Sequence, residues 1–260
     1  MYNTLKIDTD ARGVATLTLS REDKHNALSE EMLVELTDAA GKLGADASVR
    51  VVILTGAGKS FCAGGDLRWM QEQVEADPTT RMLKARKLAE MLQAMNTMRK
   101  PLIGRVQGQA FGGGIGMMSV CDVAIGVTGA KFGLTETRLG LIPATIGPYV
   151  VARMGEAMAR RVFMSARIFD SVEAVTLGLL AKAVAPEDLD AAVEAEVAPY
   201  LNCAPGAVGD AKALVRALSP EISEAVIDDT IGALAGRWSS PESAEGISAF
   251  FDKRKPAWVA

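Results

Sequence analysis

Histidine is almost absent from this chain of 260 residues, which carries one, His25, among 32 acidic and 28 basic side chains. A Ser/His/Asp or Cys/His mechanism would have to use it, yet it lies in the polar stretch from Arg21 to Asn26 and no Gly-x-Ser-x-Gly elbow exists to receive it. One histidine and scattered carboxylates make no ligand cluster, so no metal site is expected. Cysteine is nearly as scarce. Cys62, Cys121 and Cys203 show neither disulfide pairing nor metal-ligand spacing, which fits a reducing compartment. An excess of positive charge is also missing: the formal net charge is -4, and the longest basic cluster is Lys253-Arg254-Lys255, so nucleic acid is not an expected partner. No apolar run approaches the roughly 18 residues of a membrane span. The first ten residues have neither the apolar core of a signal peptide nor the Arg-rich character of a transit peptide, and a cytoplasmic location is expected.

Apolar residues make up 49% of the chain and charged residues 23%, close to globular averages. That is enough for a sizeable core in one large domain, or a main domain with an appendage. Leu5 and Ile7, then Ala15, Leu17 and Leu19, alternate on either side of the turn-forming Asp10-Ala11-Arg12-Gly13, which predicts a β-hairpin. Ser29 caps a predicted helix whose Met32, Leu36, Ala39, Ala40 and Leu43 fall on one face. The apolar run Val49 to Leu54 predicts a buried strand, and the Gly-rich stretch from Thr55 to Gly65 reads as loop. Asp66 can cap another helix. A long helix is predicted from Arg81 to Arg99, then strands from Leu102 to Val106 and Val123 to Val127 with a helix from Ile115 to Val120 between them. Beyond about residue 140 the pattern turns mostly helical, with segments at Val150 to Met164, Val172 to Leu177, Asp190 to Leu201, Pro205 to Leu218 and Ile222 to Ala235, and a last helix after Pro241. The fold class is therefore α/β, with a helical tail.

Several motifs fail on inspection. Gly56-Ala57-Gly58-Lys59-Ser60 ends like a phosphate-binding loop, but that pattern needs glycine at position 53, where Ile53 stands. No dinucleotide-binding glycine spacing follows from Gly112 or Gly114. Cys62, between Phe61 and Ala63, reads as a small buried residue before it reads as a nucleophile. What remains are two Gly-rich turns, Gly64-Gly65 and Gly112-Gly113-Gly114, each leading from a strand into a helix and able to expose backbone N–H groups to a developing anion. Glycine's use in tight turns and close helix packing accounts for either one alone.

Taken together, Lys24-His25-Asn26-Ala27-Leu28, Gly58 to Leu67, Gly112-Gly113-Gly114 with Cys121-Asp122, Phe132-Gly133-x-x-Glu136, Glu245-Gly246 and Phe250 to Arg254 resemble the crotonase superfamily (enoyl-CoA hydratase/isomerase) over essentially the whole chain. The resemblance implies a spiral core of repeated β-β-α units over residues 1–195. It also implies a helical C-terminal oligomerisation region, residues 196–260, that builds homotrimers and hexamers made of two trimers. By the same resemblance, the N–H groups of Gly65 and Gly113 bind the thioester oxygen of an acyl-CoA substrate, and Glu136 handles the proton on the neighbouring carbon. Ala63 and Leu67 then line the coenzyme A path, with Asp66 beside them also read as a cap. His25 and Arg68 occupy positions near coenzyme A, and Phe250 and Lys253 resemble residues that reach it from a neighbouring part of the assembly. Coenzyme A enters as part of the substrate, and no separate cofactor is called for.

One position departs from the family pattern. Well-studied hydratases of the family carry a second glutamate where this chain has Gly116. The segment Gly112 to Gly116, with Leu139 to Val150, resembles a bacterial subgroup similar to 3-methylglutaconyl-CoA and isohexenylglutaconyl-CoA hydratases of leucine and acyclic-terpene breakdown. The resemblance implies a lyase that adds water to a 2-enoyl-CoA. The expectation is that Gly116 makes room for a β-branched, carboxylated acyl group and that Arg138 pairs with its carboxylate. Two readings stand beside it: a 3,2-enoyl-CoA isomerase using Glu136 alone, and a noncatalytic acyl-CoA-binding member of the fold.

Overall fold

The computed structural model describes residues 1–260, and two sheets organise it. An antiparallel hairpin, β1 (Leu5–Thr9) and β2 (Val14–Leu19), turns at Gly13, whose φ of +81° is a left-handed conformation that glycine adopts without strain. Helix α1 (Glu30–Ala45) follows, capped by Ser29, which accepts from the Met32 N–H. Strand β3 (Val51–Gly56) then pairs parallel with β2. The stretch read as loop conceals a further strand, β4 (Ser60–Cys62), and Asp66 caps α2 (Leu67–Glu75). Helix α3 (Pro78–Thr97) starts three residues earlier than its apolar stripe predicts, because Asp77 caps it and Pro78 occupies its first turn.

The same cycle repeats. Strand β5 (Leu102–Val106) leads to the short β6 (Gln109–Phe111) and then to α4 (Gly113–Val120). Strand β7 (Val123–Val127) leads to β8 (Lys131–Gly133) and a 3-10 turn at Glu136–Leu139. The longer strand of each pair joins a six-stranded sheet, ordered β1-β2-β3-β5-β7 and ending on β10 (Lys182–Val184). The shorter strands form a second sheet, β4-β6-β8, closed by the antiparallel β9 (Phe169–Asp170). Strands β3, β5 and β7 at the centre of the first sheet are buried on both faces, which explains why their sequences are mostly apolar, whereas the edge strands β1 and β10 are partly exposed.

The predicted helix from Val150 to Met164 is two helices, α5 (Gly147–Met154) and α6 (Glu156–Phe163), separated at Gly155. There φ is +73°, outside the helical range. Helix α7 (Ser171–Thr176) precedes β10, and α8 (Leu189–Leu201), α9 (Pro205–Ala217), α10 (Glu224–Trp238) and α11 (Pro241–Phe251) complete the chain. The expected division at residue 195 falls inside α8, whose Val193 and Val197 are buried in the main core, so this helix belongs to the sheet layer throughout.

Helix α11 turns back onto the 3-10 turn after β8. A Cβ added to Gly246 would stand 2.6 Å from the Leu139 carbonyl carbon, and one added to Gly140 would stand 2.5 Å from that of Glu242. Arg237 closes the junction by donating to the Gly140 carbonyl at 2.7 and 2.9 Å. Gly246→Ala should therefore push α11 off the turn at a cost of about 1–3 kcal/mol, the usual range for overpacking. The check is a lower denaturant midpoint with an unchanged slope, and a midpoint equal to wild type would refute the contact.

Candidate active site

Leu28 joins the two glycine turns. Its N–H donates to the Gly64 carbonyl at 2.8 Å and its carbonyl accepts from the Asp66 N–H at 3.0 Å, forming a single parallel bridge opposite Gly65. In that pattern the residue between the two bonded neighbours turns its own amide away, and the Gly65 N–H donates to no group in the protein. The Leu28 side chain reaches the other turn, where a Cβ on Gly113 would lie 2.6 Å from Leu28 Cδ1. Gly113 opens α4, so its amide is one of the helix's orphan donors and is likewise unpaired.

Parallel pairing of β4 with β6 brings the turns together. A Cβ on Gly64 would come within 3.0 Å of the Phe111 carbonyl oxygen and 3.9 Å of Gly112 Cα, so the backbones are in van der Waals contact. The third element joins through Gly112, whose N–H donates to the Gly133 carbonyl at 3.1 Å, three residues before Glu136. The carboxylate folds back onto the same glycine: a Cβ there would be 3.0 Å from Glu136 Oε1. Gly112 has φ +47° and ψ −114°, so a side chain would be both strained and obstructed.

All three open into one cavity of about 520 Å³, lined by 26 residues of which 17 are hydrophobic. Glu136 is the only carboxylate and Arg138 the only cation among them. Glu136 is half-buried as a residue and makes no ion pair, while its Oε2 is shielded without a hydrogen-bond partner. Burial pushes its pKa up to about 7. Arg138 is exposed and unpaired, so a structural Glu136–Arg138 pair does not exist here.

The remaining sequence candidates divide. Ala63, Leu67, Arg138 and Phe250 line the cavity. Phe250 does so from α11 of the same chain. For Gly116 the expectation is corrected. The residue is buried outside the cavity lining, and a Cβ there would meet Ile146 Cγ2 at 2.7 Å, so Ile146 fills the space that glycine was expected to leave to substrate. His25 is outside the lining too: its carbonyl accepts from the Ala63 N–H and its Nδ1 lies 3.0 Å from Ser60 Oγ, which steadies β4. Asp66 serves as cap of α2 and pairs with Arg21 at 2.8 Å, holding its carboxyl below the ordinary range despite burial. Arg68 points to solvent with Glu72 at 3.7 Å, and Lys253 lies just past α11; neither lines the cavity. Cys62 is fully buried with its thiol pushed up to about 12, which removes it as a thiolate nucleophile at neutral pH. Asp122 is structural, accepting from the Leu102 N–H and from Lys212, both at 2.7 Å.

Sequence reasoning missed Leu28 as the clamp between the turns, and it missed Trp69 and Thr145. Both are cavity-lining residues, and each also holds a buried polar atom that has no partner, indole Nε1 and hydroxyl Oγ1. For Trp69 a usable signal existed, since it lies in the first turn after the Asp66 cap.

Two unpaired amides and one high-pKa carboxyl around an apolar cavity define a class of site that stabilises an oxyanion while moving a proton nearby. The enoyl-CoA hydratase/isomerase family model matches residues 9–260. A probable enoyl-CoA hydratase of Mycobacterium tuberculosis is 32% identical, covering 99% of this chain and 98% of the relative. A crotonyl-CoA hydratase of Syntrophomonas wolfei is 31% identical over 95% of each. The crystal structure of an enoyl-CoA hydratase from Shewanella pealeana superposes with a TM-score of 0.81 at 36% identity, covering 99% of this chain and 97% of that one. The chain belongs to the enoyl-CoA hydratase/isomerase family and has the crotonase fold.

Burial of Glu136 also has a cost in stability. Its folded pKa, about 7, lies above the ordinary 4.5, so between those values the folded state holds a proton that the unfolded state releases. Stability therefore falls as pH rises from about 4.5 to 7 and stays lowered above that, by on the order of 3 kcal/mol. Glu136→Gln should raise Tm at pH 8, and the gain should fade as pH drops towards 4.5. A gain independent of pH would rule out an ionised buried carboxylate as its source.

Proposed function

We propose that this protein adds water across the double bond of a 2-enoyl-CoA, with Gly65 and Gly113 binding the thioester oxygen and Glu136 managing the protons. The observation that carries the reading is that two residues with unpaired amides, Gly65 and Gly113, and one carboxyl, Glu136, line the same cavity. As water oxygen bonds to C3, the electron pair of the C2=C3 bond passes towards the thioester oxygen, where the two donors meet the growing charge. In other enzymes one such donor is worth about 3–4 kcal/mol. Glu136 as carboxylate takes one proton from the attacking water and returns it to C2, and the water's second hydrogen stays on the new hydroxyl. A pKa near 7 suits a group that must both accept and give a proton.

Glu136→Gln should lower kcat on crotonyl-CoA by about 10²–10⁴-fold. Because the carboxylate must be ionised in the free enzyme, kcat/KM for hydration should rise as pH passes through about 7 in the wild type. An undiminished rate in the variant would remove Glu136 from the chemistry.

A single carboxylate in the lining also supports a second reading, 3,2-enoyl-CoA isomerisation, which needs no activated water. Product identification with 2-enoyl and 3-enoyl thioesters separates the two, since only hydration yields a 3-hydroxyacyl product. For the acyl group we propose a branched, carboxylated chain such as 3-methylglutaconyl, supported by the unpaired Arg138 on an otherwise apolar wall. Arg138→Leu should then raise KM for 3-methylglutaconyl-CoA and spare crotonyl-CoA. A strong wild-type preference for the unbranched substrate would end that assignment. Self-association as a homotrimer or hexamer is supported by apolar side chains exposed on and just after α9, Leu214, Val215 and Leu218, and light scattering measures it.

A further inference from the structure

Four buried side-chain polar atoms have no hydrogen-bond partner, and three of them, on Trp69, Glu136 and Thr145, belong to residues lining the same cavity. Thr145 is the least expected. It is 4% exposed, and a threonine just before a helix ordinarily spends its hydroxyl on the helix's free amides; α5, which begins two residues later, has no side-chain cap. The next residue is Ile146, the side chain packed on Gly116 Cα. The segment that covers the position lacking a carboxylate therefore brings hydrocarbon at 146 and a lone hydroxyl at 145.

We propose that Thr145 is a positioning residue for the attacking water, resting on the hydratase reading above. Its Oγ1 accepts the O–H that the water keeps, while Glu136 takes the other proton. That fixes the oxygen lone pair towards C3 with one ionisable group in place of two. A hydroxyl has no charge to desolvate, so it can serve beside Ile146 where a second carboxylate would add repulsion to the already buried Glu136. Neither the Thr145 hydroxyl nor Ile146 takes or gives a proton in the net reaction.

Thr145→Val keeps the shape and deletes the hydroxyl; Thr145→Ser keeps the hydroxyl. In Thr145→Val, kcat for hydration should fall by about tenfold, the effect of one neutral hydrogen bond lost from the transition state, with KM little changed. Thr145→Ser should recover most of that loss. Exchange of the C2 proton of butyryl-CoA in deuterated water needs Glu136 and the two amides but no attacking water, so it should persist in Thr145→Val. Removing an unpaired buried hydroxyl should leave Tm unchanged or higher, whereas a merely structural threonine would lower Tm and both rates together. Equal hydration rates in wild type and Thr145→Val, or a rise in KM at constant kcat, would overturn the proposal. Absence of hydration by the wild type on any enoyl thioester would instead sink the reading beneath it.

Discussion

The site depends on the close approach of two stretches of main chain that carry no side chains where they meet. Gly64 and Gly112 come together because β4 and β6 pair in parallel, with a register irregularity between Ser60 and Cys62, and a Cβ on Gly64 would stand 3.0 Å from the Phe111 carbonyl oxygen. Leu28 makes the approach permanent by giving its backbone to one turn and its side chain to the other. The amides of Gly65 and Gly113 are left over by geometry: one faces away from a parallel bridge, and the other begins a helix. Donors fixed in this way need no reorganisation when charge develops in front of them, which is the condition under which such dipoles act most strongly.

Placing a carboxyl in that setting opposes folding. Glu136 lies among apolar walls without a cation to offset its charge, and its raised pKa measures that burden. The surrounding structure holds it there by backbone contacts instead: the Gly112 N–H to the Gly133 carbonyl before it, and α11 packed on the turn after it through Gly140 and Gly246. The C-terminal helices are thus part of the site wall within one chain, whatever they also do between chains. Phe250 and Trp238 on those helices extend the same wall.

How much of this was legible in the sequence follows from burial and length. Strands β3, β5 and β7 are largely buried on both faces and read as mostly apolar segments, so β5 and β7 were recoverable to the residue and β3 to within two residues at each end. Strands β4, β6 and β8 are three residues each, too short for any periodicity, and two of them border the glycines that made the region look like loop. The break at Gly155 was hidden because apolar spacing continues across it. Among site residues, the two glycine turns and Glu136 stood out only in combination. Leu28, Trp69 and Thr145 carry no signal by type, since a leucine, a tryptophan and a threonine are ordinary core residues until contacts show what each touches.

Gly116 shows the limit most clearly. Read alone, a glycine in place of an acid means room, but in the fold the room is a mutual property of two positions, and Ile146 occupies it. The space beside Gly116 is therefore filled with hydrocarbon, as a close-packed interior requires. The cavity is left with one carboxyl, and under the proposed hydration a second polar role falls to an uncharged side chain on the covering segment. Of the residues from 141 to 146 that line the cavity, only Thr145 carries a polar side-chain atom, and that atom has no partner inside the protein. A single buried acid with a neutral hydroxyl avoids the like-charge repulsion that two acids sharing an apolar cavity would impose on each other.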